Sequence, residues 1–123
     1  MIEIKITIDN ALQLLMERMK FELRNRQKSG MIKHGVRLED LSYHELLKIV
    51  ESSVFDTIFL LPVEIITSQT NLVSIITSTI KALNRVLNKE EFLLFSDRQT
   101  LNLIEPIRKF LSNNTKSNNY LKN

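Results

Sequence analysis

The sequence predicts a mainly α-helical domain, about four helices preceded by one N-terminal β-strand over residues 2–8. Three observations carry that prediction. Two glycines and two prolines in 123 residues leave little turn chemistry for a many-stranded sheet. Apolar residues recur at helical spacing over long segments, and a strict alternation occupies the first nine residues.

Met1 to Asp9 places Ile2, Ile4, Ile6 and Ile8 on one side and Glu3, Lys5 and Thr7 on the other. Period two is the signature of a half-buried strand. Asn10 then suits a helix N-cap, and Ala11 to about Lys28 reads as a first helix with Leu12, Leu15, Met16, Met19 and Leu23 on one stripe. A loop is expected from Ser29 to Asp40, which contains both glycines, Gly30 and Gly35. Ser42 with Glu45 forms an S-x-x-E capping box that opens a second helix, Tyr43 to about Leu61, ended by Pro62. Val63 to Thr67 is β-branched enough for a short second strand.

A third helix is expected from about Asn71 to Leu87 through Leu72, Ile76, Ile80 and Leu83, although Val73 to Thr79 also suits a strand. Ser96 with Gln99 makes another capping box, opening a fourth helix to about Leu111 that Pro106 should kink or split. Residues 112–123, with five Asn and two Lys, are expected as a flexible polar tail behind a single globular domain spanning 1–111. A chain of this size buries roughly two-thirds of the surface it exposes when unfolded. It needs no disulfide or metal to hold a core.

Several function classes are disfavoured. The absence of cysteine removes thiolate chemistry, Cys-based zinc sites and Fe–S clusters. His34 and His44 have no second ligand at helical spacing, and no H-E-x-x-H, G-x-S-x-G, Walker or G-x-G-x-x-G motif is present. Glu45 and Asp56, eleven residues apart, offer only weak support for a cation site. The expectation is therefore no enzyme, no cofactor and no metal. Charge runs through the first thirty residues, and the apolar run Ile58–Leu61 is far too short to span a bilayer. A cytoplasmic protein with no membrane partner is expected.

Charge is unevenly placed. Residues 1–37 hold eight Lys/Arg against four acids, residues 38–66 one against six, and residues 67–123 eight against four. The most distinctive stretch is 24–37, where Arg24, Arg26, Lys28, Lys33, His34 and Arg37 fall with no acid among them. Cations at a helix C-terminus complement its dipole, which accounts for Arg24, Arg26 and Lys28. Lys33, His34 and Arg37 continue beyond the helix end, flanked by glycines that would let a partner approach the backbone. Such residues suit phosphate contacts, and the lack of an interleaved aromatic argues against base stacking.

Two readings follow. One is a small non-enzymatic regulator, expected as a dimer, that binds nucleic acid or another phosphate-bearing ligand through residues 24–37, with the 2–8 strand pairing either with Val63–Thr67 or with a second subunit. The other is a helical protein-interaction module, an adaptor or inhibitor. An intermolecular strand pair followed by a helix resembles the start of ribbon-helix-helix repressors, with Glu3, Lys5 and Thr7 outward, but the first helix and the loop before Ser42 are longer than that family's. Phe55, Phe59, Phe92 and Phe95 could line a groove for a partner helix, but aromatic residues at helical spacing are more often core. In Lys89–Phe95, four apolar residues in a row cannot all face one core, which marks a partner-binding or dimer patch.

Overall fold

A computed structural model describes residues 2–95 and 97–122, with side chains described for 8–95 and 98–113. Among these, five α-helices follow one another: α1 (Ile2–Lys28), α2 (Tyr43–Ile58), the single turn α3 (Val63–Ile66), α4 (Gln69–Leu87) and α5 (Asp97–Lys122). Short 3₁₀ turns at Leu38–Asp40 and Glu90–Leu94 sit in the two longer connections. α1 packs on α2 and α4, and α5 packs on the same two. The four long helices therefore enclose one core, with α1 parallel to α4 and α2 parallel to α5. Met19, Leu46, Ile49, Ile80, Leu83, Phe92 and Ile104 have no exposed surface.

No β-strand occurs among the described residues, and the expected strand at residues 2–8 is instead the start of α1. The physical reason lies in pairing. A strand needs a ladder partner, and Val63 to Thr67, the internal candidate, is wound into α3 behind Pro62, whose carbonyl accepts from the Ile65 and Ile66 amides. Ile8 is in register with Ala11, Leu12 and Leu15 and packs half-buried against the core, so it extends the α1 stripe. Asn10, expected as an N-cap, is an exposed residue inside α1. With the strand gone, the ribbon-helix-helix arrangement and the strand-paired dimer lose their basis.

Ser42 caps α2 as expected, its Oγ accepting from the Glu45 amide at 3.2 Å. α2 stops at Ile58 rather than Leu61, because tight turns from Leu60 to the Thr57 carbonyl and Leu61 to the Ile58 carbonyl close it. The β-branched half of α4 is helical, since Leu72, Ile75, Ile76, Thr79 and Ile80 are all buried at helical spacing. Ser68 caps α4 through the Asn71 amide, and Asn88 ends it in the left-handed region at φ 55°. Ser96, expected to cap the last helix, lies outside the described residues. α5 runs through Pro106 without splitting. The carbonyl that Pro106 leaves without a donor belongs to Asn102, which is exposed to water. Ser112 and Asn113 continue α5 with exposed side chains.

The end of α1 is a Schellman turn. The Gly30 amide donates to the Gln27 carbonyl at 3.2 Å and the Met31 amide to the Arg26 carbonyl at 2.9 Å, with Gly30 at φ +82°. Gly30 thus terminates a helix, where the sequence suggested an opening for a partner. An added Cβ would meet nothing within 4 Å, so Gly30→Ala should cost backbone strain alone, about 1 kcal/mol. Urea denaturation checks this, with the midpoint lowered and the slope unchanged.

Candidate anion-binding surface

The six cations and near-cations of residues 24–37 do not act as one group. Arg26 Nε donates to Glu22 Oε1 at 3.1 Å and its Nη2 to Ser52 Oγ at 3.3 Å. Its side chain is 19% exposed and ties α1 to α2. Arg37 turns back on its own loop: its Nε lies 3.2 Å from both Asp40 Oδ2 and Glu39 Oε1, and its backbone N–H donates to Asp40 Oδ2 at 3.1 Å. The hydrogen bond and charge of Asp40, then Glu39, raise the Arg37 pKa above its ordinary value. The side-chain and backbone hydrogen bonds from Arg37 in turn hold Asp40 below its ordinary value. Both of these arginines already have acid partners, which the sequence reading did not assign.

Arg24, Lys28, Lys33 and His34 are exposed, and none makes an ion pair among the described residues. They stand on a fixed support. Gln27 Nε2 donates to the Lys33 carbonyl at 3.0 Å and the Val36 carbonyl at 3.1 Å, drawing the loop back over the end of α1. Ile32 and Val36 pack half-buried against the core, and Leu38 and Leu41 are buried in it. Gly35, at φ +88°, supplies the turn between them.

The connection between α4 and α5 lies beside this loop. Tyr43 meets Phe92 edge-on with centroids 5.0 Å apart, and the Lys89 charge acts on Asp40. Burial first, then the charges of Glu91 and Glu51, pushes the Tyr43 hydroxyl up from its ordinary pKa. The four phenylalanines form no groove, in line with the core reading of aromatics at helical spacing. Phe92 and Phe95 are buried in the core, while Phe55 and Phe59 join Phe110 in an edge-to-face cluster between α2 and α5. In Lys89–Phe95 the division is as the sequence implied, with Leu93 and Leu94 exposed at 52% and 81%.

Glu45 and Asp56 do not converge. Glu45 Oε1 accepts from Ser42 Oγ at 3.1 Å, and Asp56 pairs with Arg18 at 2.9 Å. No group of three or more metal-ligating side chains occurs among the described residues, and no helix there is long and apolar enough to cross a membrane. Sequence reasoning passed over Lys20, Lys81 and Arg85, all exposed. The available signal was spacing, because Lys20, Arg24 and Lys28 are four apart, as are Lys81 and Arg85.

No protein-family model matches this chain, and neither does any curated protein or solved structure.

The lowered Asp40 pKa has a definite sign. A carboxylate held below its unfolded value contributes its contact above that value and loses it as pH falls through the folded one. Acidification below about pH 4 should therefore release Arg37 from Asp40 while leaving it bound at neutral pH. Loss of the Arg37 Nε–H protection in an NMR pH titration, in step with protonation of Asp40, is the expected result.

Proposed function

We propose that this chain is a small non-enzymatic regulatory protein that binds nucleic acid or another phosphate-bearing ligand through the open cations at the end of α1 and in the following loop. One observation carries the reading: Arg24, Lys28, Lys33 and His34 are exposed and free of acid partners on a backbone already fixed by Gln27 and the Schellman turn. A loop ordered before binding loses less entropy when it binds. Arg26 and Arg37 have structural work instead, so the site is narrower than residues 24–37 as a whole.

A second reading, a protein-interaction module, is favoured by the exposed Leu93–Leu94 pair. Apolar side chains displayed together on a rigid turn suit a protein partner better than a phosphate. Only the strand-paired form of the dimer is dropped, because residues 2–8 belong to α1.

Fluorescence anisotropy with labelled DNA and RNA across a salt series tests the first reading. Wild type should bind at low salt, and R24Q/K28Q/K33Q should bind more weakly with a salt slope smaller by about 2 to 3, near 0.9 per lost phosphate contact. Binding that is absent at low salt, or unchanged in the variant, would reject the phosphate reading and leave the protein-interaction one.

A further inference from the structure

The open cations of the loop end belong to a larger surface. On α1, Lys20, Arg24 and Lys28 are all exposed at four-residue intervals, forming a ridge about 12 Å long. Arg18 and Arg26 mark the α2 flank of that helix through Asp56 and Ser52. Lys20 and Arg24 each lie two residues from one of these, about 200° around the helix. They therefore point outward on the flank away from α2, the side on which α4 packs.

On α4, Thr77 meets Thr100 of α5 at 3.0 Å and marks the α5 flank. Lys81 and Arg85 follow at steps of four, each step drifting about 40°, which carries them across the outer surface toward α1. Both are exposed. α1 packs on α4, with Ala11 and Leu15 beside Ile75, Ile76, Thr79 and Ile80, and both helices run on in the same direction from there, so their exposed cations lie on neighbouring helices toward one end of the molecule.

Charge segregation strengthens the point. α4 contains no acidic residue. On α1, Glu22 is occupied by Arg26, which leaves Glu17 and Asp9 as the described acids without an ion pair. Helix dipoles account for Lys28 and Arg85, which sit in the last turns. They do not account for Lys20 and Lys81, which lie farther back than the last turn, and Arg24, credited to the dipole from the sequence, also falls outside a last turn whose basic residues are Arg26 and Lys28.

We propose that the paired outer surfaces of α1 and α4 form a cation ladder (Lys20, Arg24, Lys28, Lys81 and Arg85) that tracks the phosphate backbone of double-stranded nucleic acid without reading its sequence. This rests on the phosphate-binding reading above and extends it. Measured along the duplex axis, the α1 ridge spans three to four base-pair steps at about 3.4 Å each. A rigid pair of helices suits a duplex more than a flexible single strand. The one exposed aromatic of α1, Phe21, lies under the Arg18 guanidinium at 4.8 Å and does not offer a stacking platform. Membrane binding is disfavoured because the apolar stripes of both helices are turned into the core, leaving only the single side chains Phe21 and Val86 exposed among the described large apolar residues of the two helices, and no continuous apolar face to insert.

The ladder is tested with K20Q/K81Q/R85Q, which leaves the loop cations in place. The probes are a random-sequence DNA duplex of about two helical turns, one of its strands alone, and phosphatidylcholine/phosphatidylserine vesicles. Wild type should favour the duplex, and the triple variant should lose about 3 from the salt slope while keeping its circular dichroism spectrum and Tm. K20R/K81R/R85K should bind as wild type. A triple variant indistinguishable from wild type overturns the ladder while sparing the loop site, whereas wild type binding neither nucleic acid at low salt overturns both. Tighter binding to the single strand, or triple-sensitive binding to vesicles instead of DNA, overturns the duplex assignment.

Discussion

The structure depends on one constraint: the apolar stripes of four long helices must all be buried in a single shared core. Each fully buried aliphatic or aromatic side chain contributes on the order of 1.5–3 kcal/mol, and twelve of the largest in this chain are under 2% exposed. Local preference amounts to a few tenths of that per residue. The constraint therefore overrides propensity in α4, where a run of β-branched residues is wound into a helix because that spacing puts Leu72, Ile75, Ile76, Thr79 and Ile80 inside. It also accounts for α1, which continues its stripe toward the N-terminus through Ile8.

Once the core is set, its polar remainder is sorted by what lies within reach. Arg18 and Arg26 meet α2 and are held there. Arg37, at the start of a 3₁₀ turn with acids two and three residues on, closes upon itself. The cations left over project from the outer surfaces of α1 and α4 and from the loop that Gln27 fastens. A segment that looks uniformly basic is thus divided between structural pairs and open charges, and the open charges are continued by residues of a helix far away in sequence.

Much of the architecture was legible locally. Helical spacing and scarce turn residues specify a helical domain, and Ser42 with Glu45 places the start of α2 because a hydroxyl three residues before an amide can satisfy it wherever the helix goes. The Arg26–Glu22 and Arg37–Asp40 pairs were also readable, being four and three residues apart. The opening segment was not, because isoleucines at positions 2, 4, 6 and 8 satisfy period two, while Ile4 and Ile8 equally satisfy a helical step. Alternation within one segment says nothing about whether a second strand exists to pair with it.

By itself, then, the sequence determined the helical class, the cap of α2, the end of α1 near Lys28 and the concentration of cations around it. Tertiary structure alone decided that residues 2–8 join α1, that Arg26 reaches Ser52, and that Phe92 and Phe95 are core while Leu93 and Leu94 are surface. It alone set α4, which carries Lys81 and Arg85, against α1, which carries Lys20 and Arg24. The division follows range: caps and helical stripes act within a few residues, whereas pairing, burial and the meeting of two charged ridges depend on which helices become neighbours.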